Sequence, residues 1–270
     1  MNETLTRALS GAVYIFLLLT CLLFSNTSFY ILFGLFLAIA VLEFCKLIKL
    51  RFYIPLLLAL FCYTTTVYYR ANFDPIYDKI ITTLCVLVSI RLLFFLFSKK
   101  DTKIKKFEKW VYLIGYIILP FIIITKIPIG IKGYNPKILI GIFVLIWTND
   151  TFAYLVGKSI GKNKLFERIS PKKTIEGFLG GLTFSIIGSF LIATYYIGTS
   201  NIGIWIGIAI LVSIFATLGD LIQSKFKRIA GVKDSGKIMP GHGGILDRLD
   251  SIIFVSPFIF LFYQILYYVS

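Results

Sequence analysis

Nine stretches of mostly apolar residues follow one another along the 270-residue chain, at roughly 8–24, 29–47, 53–69, 80–98, 110–125, 138–157, 174–198, 202–222 and 251–269, with only short polar gaps between them. A helix crosses a hydrocarbon core of about 30 Å in about 20 residues. Runs of that length, repeated this often, have one economical solvent, which is lipid. The chain is 58% hydrophobic and 15% charged, against about 45–50% and about 25% in soluble domains. It is also too short for several soluble domains beside a membrane region. The expectation is a single all-α, polytopic integral membrane domain over 1–270 with about nine transmembrane helices.

Details along the spans fit this picture. Pro120 lies inside the fifth and should kink it. Met1 to Thr20 has Arg7 ahead of an apolar run, but no small-residue cleavage site follows, so it reads as a retained first helix. Cys21, Cys45, Cys62 and Cys85 stand singly in apolar surroundings, without metal-ligand spacing, and read as small buried hydrophobes.

Lysine and arginine fix the expected orientation. Of the 28 basic residues, 22 fall in loops on the side of the N-terminus and 5 on the other, with Arg91 inside a span. Short loops rich in Lys and Arg stay on the cytoplasmic side. The N-terminus and the loops near 100, 165 and 235 are therefore expected to be cytoplasmic. Topology thus explains most of the +15 net charge. A nucleic-acid surface would need basic residues interleaved with exposed aromatics on a soluble face, and none is present. The run Lys99–Lys109 reads as an anchor against anionic lipid headgroups.

The 13 acidic residues are unevenly placed. Glu3, Glu43, Asp74, Asp78, Asp101 and Glu108 fall mostly in loops of the first half. Asp150, Glu176, Asp220, Asp234, Asp247 and Asp250 lie at helix ends or in the last loop. An acid at membrane depth is costly and marks a candidate functional site. Residues 1–140 therefore read as scaffold, and 141–270 as the part that carries chemistry.

Two clusters stand out. In the first, Asp150 and Tyr154 share a face of the sixth helix at i and i+4. A basic loop then leads through Ser170-Pro171-Lys172-Lys173-Thr174 into the seventh helix, with Pro171 suited to its first turn. Backbone N–H groups and lysines there favour phosphate. Gly177, Gly180 and Gly181, and likewise Gly203 and Gly207, carry a spacing that lets helices pack closely. In the second cluster, Asp220 and Ser224 sit at i and i+4, and Asp247 and Asp250 at i and i+3. Two oxygen-bearing faces on neighbouring helices can converge on a hard cation such as Mg²⁺. His242, the only histidine, lies between them in Pro240-Gly241-His242-Gly243-Gly244, where glycines allow a tight turn or close approach to a phosphate.

From Ser224 to Asp250 the chain reads S-x-F-K-R-x4-K-D-x-G-x3-P-x-H-G-G-x2-D-R-x-D. This resembles the signature of the phosphatidate cytidylyltransferase, or CDP-diacylglycerol synthase, family. Met239 stands where that family usually has leucine, isoleucine or phenylalanine, a volume-conserving change. Asp150-x2-Ala153-Tyr154-x2-Gly157 and Ser170–Thr174 also resemble family motifs. The resemblance implies that CTP and phosphatidate give CDP-diacylglycerol and pyrophosphate, for phospholipid biosynthesis. It further implies Mg²⁺, a second monovalent cation (K⁺), and a homodimer in the bacterial inner membrane.

On this reading Asp220 and Asp247 hold Mg²⁺ with Ser224, Asp250 supports them, and Lys172, Lys173, Lys233 and Arg248 bind phosphates. Asp150, Tyr154, Lys227, Arg228 and Asp234 complete the candidate substrate-binding set. Three roles stay open for His242: phosphate ligand, proton donor, or shaper of the glycine turn. Two rivals remain. A CTP-using lipid kinase would need a general base for a neutral hydroxyl. A transporter would show a repeat between halves and polar groups at mid-membrane.

Overall fold

The computed structural model describes residues 3–69, 75–98, 104–130 and 133–269. Arg70, Asp74, Lys99, Lys100, Asp101, Lys103 and Lys132, to which the charge pattern gave roles, lie outside the described residues.

Nine apolar helices make up the described chain: α1 (Glu3–Phe24), α2 (Asn26–Leu47), α3 (Tyr53–Tyr68), α4 (Pro75–Phe97), α5 (Lys106–Lys126), α6 (Pro136–Ile160), α7 (Ile175–Ile197), α8 (Ile202–Ala230) and α9 (Leu246–Val269). Eight are long and apolar enough to cross a membrane, and α3, with 16 residues, is shorter. Two small antiparallel hairpins join helices: β1 (Ile129–Gly130) with β2 (Gly133–Tyr134), and β3 (Lys164–Phe166) with β4 (Ser170–Thr174). The architecture is the expected all-α membrane bundle.

Local chemistry sets the element ends. Ser25 caps α2, its hydroxyl accepting from the Ser28 backbone N–H at 3.0 Å. The distortion expected at Pro120 takes the form of a widened π-turn over Leu113–Ile118, in which the Leu119 N–H reaches the Ile114 carbonyl. Proline lacks an N–H, and its ring crowds the carbonyl four residues back, so the preceding turn opens.

Two boundaries differ from expectation. The helix α8 runs to Ala230, beyond the apolar stretch 202–222, and ends where Gly231 turns left-handed at φ 73°. Ser224, Lys227 and Arg228 thus ride on helix. Hydropathy reports where lipid ends, whereas a helix continues until its backbone is interrupted. In addition, Ser170–Thr174 is strand β4, and α7 begins at Ile175 under a Thr174 cap that accepts from the Gly177 N–H at 3.1 Å. Pro171 therefore sits in a short strand rather than a first helical turn, a place where its missing N–H costs little.

Contacts between distant residues show the helix ends alternating as the charge pattern requires. At one end, Ser10 of α1 meets Pro240 and His242, Glu43 of α2 meets Ile245 and Leu246, and Lys225 of α8 meets Ser98 after α4. At the other, Tyr134 donates to Leu22 O, and Lys126 pairs with Asp78 at 2.7 Å.

Phe226, from the signature segment, anchors the end of α8. Its ring lies 5.1 Å from Phe44, 5.0 Å from Phe95, 5.7 Å from Tyr112 and 6.0 Å from Tyr116, tying α8 to α2, α4 and α5. Lys225, buried, donates to the carbonyls of Phe95 and Ser98 and so caps α4. Close packing of α7 on α6 runs through Gly177 and Gly181: a Cβ on Gly181 would fall 2.8 Å from Asn149 O. Gly203 faces open space, whereas a Cβ on Gly207 would fall 2.9 Å from the Phe262 ring, so of that pair Gly207 alone is closely packed.

Candidate active site

At the end of the bundle that holds Ser10, Glu43 and the α8–α9 loop lies a polar cavity of about 230 Å³. Asp150, Asp220, Asp234, Asp247 and Asp250 supply five carboxylates to its wall, and Lys227 and Arg248 supply cations. The two clusters separated in sequence are one site in space.

Asp220 lies on α8, almost three turns before its end at Ala230. One oxygen meets the Lys173 ammonium at 2.5 Å, and the other lies 3.3 Å from Ser224 Oγ, one helical turn on. Lys173 is half-buried and reaches inward to Asp220, whereas its neighbour Lys172 is exposed. Burial alone would lower the Lys173 pKa, but the Asp220 carboxylate outweighs it and raises the ammonium above its usual range. The ion pair joins the first cluster to the second.

Asp247, in the first turn of α9, is almost fully engaged. Oδ1 accepts from Lys227 at 2.8 Å and from Gln223 Nε2 at 3.1 Å. Oδ2 accepts from the Ser235 N–H at 2.7 Å, the Ser235 hydroxyl at 2.9 Å and the Gly244 N–H at 2.9 Å. Asp250, one turn on, is buried and accepts from the Ser251 N–H at 2.8 Å. Asp150 enters from α6, with Asn149 Nδ2 3.4 Å away.

The glycine-rich loop is a defined turn. Pro240 and Gly241 occupy its centre, His242 N–H donates to Met239 O at 2.9 Å, and Gly241 has φ 75°. That is a type II turn, which favours proline first and needs positive φ second. Ser10 Oγ lies 2.9 Å from Pro240 O and 2.7 Å from His242 Nδ1. The Ser10–His242 hydrogen bond ties α1 to the turn, and the tautomer of the ring sets which of the two atoms donates. Burial first, then the charges of Arg248 and Arg7, hold the His242 pKa below its usual value, so the ring is neutral at pH 7.

Sequence reasoning missed Glu43. It is buried on α2 and accepts from Leu246 N–H at 2.9 Å and Ile245 N–H at 3.2 Å, with Ser235 Oγ 3.1 Å away. Its carboxylate satisfies the first amides of α9, where a negative charge is favoured. Gly236 and Gly244 lie so close to it that a Cβ on either would collide with the carboxylate. An acid within the apolar stretch 29–47 was the available signal. Asn149 and Gln223 were also missed. Both are buried, and Asn149 Oδ1 and Gln223 Oε1 have no hydrogen-bond partner among the described residues.

Several expected residues stand apart from the cavity. Tyr154 is 64% exposed, with the Lys158 ammonium 5.9 Å from its ring centre. Lys172, Arg228 and Lys233 are exposed and do not line this cavity. Glu176 turns away to accept from the Lys162 and Asn163 N–H groups, shaping the turn before β3.

The donor set suits a hard cation. Among the described residues, no group of three or more His, Cys, Asp or Glu side chains is drawn into a ready-made cage. Magnesium takes few carboxylates and completes its shell with water and phosphate oxygens. The cavity's carboxylate oxygens, carried on neighbouring helices α8 and α9, are donors of that kind.

A bundle of membrane-length helices with a carboxylate- and lysine-lined cavity at one end defines an integral membrane protein whose polar groups gather at that end. Residues 5–266 match the model of the Cytidylyltransferase family, and the chain belongs to that family. It is similar to proteins named phosphatidate cytidylyltransferase from Staphylococcus aureus strain COL, at 55% identity over 117 residues, and from Staphylococcus haemolyticus strain JCSC1435, at 52% over 115 residues. Each match takes in 43% of this chain and 44% of the relative, so the chain spans less than half the length of those relatives.

Proposed function

We propose that the chain is a CTP:phosphatidate cytidylyltransferase. A phosphate oxygen of phosphatidate forms a bond to the α-phosphorus of CTP, the bond from that phosphorus to the α,β-bridging oxygen breaks, and pyrophosphate leaves with its electron pair. CDP-diacylglycerol is the product. The observation that carries this reading is the convergence of Asp220, Lys227, Asp247, Arg248 and Asp250 of the family-like segment on one cavity. The names of the similar proteins support it.

The nucleophile is already anionic, so no strong base is required. The task is to bring two polyanions together and to neutralise charge building on the α-phosphoryl and the leaving group. Lys173, Lys227 and Arg248 bind phosphate oxygens, and neutral His242 holds the glycine turn to Ser10. Asp220 and Asp247, with Ser224 and Asp250, hold Mg²⁺, with K⁺ as a second cation. Bound there, the metal supplies Lewis-acid and templating chemistry. Further parts of the proposal are a homodimer in the bacterial inner membrane and a site on the cytoplasmic face, where soluble CTP meets a lipid.

The test is incubation of the detergent-purified protein with phosphatidate and CTP labelled at one phosphorus. Label from α-³²P-CTP should enter a lipid whose mass is that of CDP-diacylglycerol. Entry of γ-label instead identifies a lipid kinase, and no labelled lipid from either substrate refutes the reading.

A further inference from the structure

The two sides of α1 differ. Leu5, Leu9, Val13 and Phe16 share one side and are exposed, whereas Tyr14 and Leu18 on the other are buried. Ser10 and Gly11 continue that inward side toward the N-terminus, at helical spacing, and there large side chains give way to small ones. The glycine turn fills the space. Ser10 Oγ lies 2.7 Å from His242 Nδ1, 2.9 Å from Pro240 O and 3.1 Å from Arg7 O. A Cβ on Gly11 would fall 3.2 Å from His242 Cε1, and one on Gly241 2.6 Å from Arg7 Cγ. We infer that Ser10 and Gly11 are positioning residues of the active site, which seat the His242 imidazole and so fix the tip of the glycine turn. Their effect on turnover rests on the proposed function; the seating of the ring does not.

Three observations carry it. First, the ring is held in two ways. A hydrogen bond fixes Nδ1, and the absence of a side chain at Gly11 lets the neighbouring ring carbon lie where a methyl group would crowd it. Second, the other grips on the loop miss its tip. Asp247 and Glu43 hold Ser235, Gly244, Ile245 and Leu246, whereas Pro240 and His242 meet Ser10. Third, the seated ring is part of a cavity wall. With Gly11, Tyr14, Asp247, Arg248 and Asp250, His242 lines a second cavity of about 230 Å³, which shares the last three with the polar one. A shift of the ring therefore reshapes the space beside the acids. The first helix, 232 residues from His242 at Ser10, thus belongs to the active site and is more than scaffold.

The test uses the detergent-purified full chain. Diethyl pyrocarbonate modification of His242 is followed by mass spectrometry without substrates, and CTP-dependent turnover with phosphatidate is measured in parallel. Ser10→Ala frees the ring and should raise the modification rate about two- to tenfold, the worth of one hydrogen bond. It should lower turnover about tenfold. Ser10→Thr restores the hydroxyl and should recover most of both. Gly11→Ala keeps the hydroxyl and suits a helix better, so the melting temperature should not fall. Its methyl displaces the ring, so turnover should still drop at least about threefold. In a His242→Ala background, Ser10→Ala should cost less than about twofold more, because its effect runs through the ring. Normal turnover in both single variants, an unchanged modification rate in Ser10→Ala, or a full further loss in the His242→Ala background overturns the inference. If modification rises as expected but no labelled CDP-lipid forms even with the unaltered chain, the proposed activity falls and the seating of His242 by α1 stands.

Discussion

The acids of α6–α9 and those of α1–α5 are spent in opposite ways. In the C-terminal helices, Asp150, Asp220, Asp247 and Asp250 face a shared cavity. In the N-terminal ones, Glu43 is consumed by backbone N–H groups, Asp78 by Lys126, and Glu108 by Arg91 at 2.7 Å. A carboxylate answered by its own protein is structure. Carboxylates gathered around a cavity with nearby cations repel one another unless a ligand or ion shares their charge, so they are kept for use. Asp220 and Asp247 stand between these cases: Asp220 lines the cavity while paired with Lys173, and Asp247 lines it while five donors hold it to the loop. The loop is accordingly gripped from both sides, by Asp247 of α9 and by Glu43 of α2.

The largest effect should come from the cavity side. Asp220→Asn removes a charge that Lys173 and the proposed cation both use, and should lower CTP-dependent turnover by at least about 100-fold with little change in thermal stability. Near-normal turnover would place the chemistry elsewhere.

Glu43→Ala tests the other side. It leaves the Ile245 and Leu246 backbone N–H groups without their acceptor, at about 1–3 kcal/mol for each buried orphan. The melting temperature should fall by several degrees. Turnover should drop about 10- to 100-fold as the loop and the start of α9 shift. Glu43→Gln keeps one acceptor oxygen and should recover part of both. A variant that melts lower but turns over normally would make Glu43 a fold residue alone.

Lys225→Met should separate stability from chemistry. It uncaps the carbonyls of Phe95 and Ser98, at a cost of about 1–3 kcal/mol, seen as a lower melting temperature. The Michaelis constants for CTP and phosphatidate should stay unchanged.

The smallest effect concerns His242. Burial, Arg248 and Arg7 all disfavour its protonated form, so its titration midpoint lies below the ordinary value of about 6.5. Diethyl pyrocarbonate modifies neutral imidazole, and the rate at this single histidine, followed by mass spectrometry, should stay high as pH falls through 6.5. Removing one cation in Arg7→Gln should move the midpoint upward. The linkage sign follows: with a depressed folded pKa, this group's stabilising contribution is present above pH 6.5 and is lost as pH falls through the folded value. A midpoint at or above the ordinary value would mean that His242 carries a proton at neutral pH.

Much of this protein is written locally. The length of the apolar runs determined the membrane helices, and alternation of Lys and Arg between loops determined which ends share a side. Pro240-Gly241 specified its turn, and the i, i+4 and i, i+3 spacings put Asp220 with Ser224 and Asp247 with Asp250. Each of these depends only on residues near one another in the chain, where helix rise and turn geometry relate position to direction.

What tertiary structure alone decided is which face of each helix turns inward. A helix apolar on every side carries no stripe to mark its buried face. Hence nothing in the sequence brought Glu43, Ser10 or Tyr14 to the loop and cavities more than 200 residues away, or left Asn149 and Gln223 buried beside the acids. For the same reason Tyr154, Lys172, Arg228 and Lys233, sound candidates by residue type, point outward. Rotation of one helix against another is settled by the packing of whole surfaces, such as Gly181 on Asn149 and Phe226 among Phe44, Phe95 and Tyr116, and packing exists only after the chain has folded.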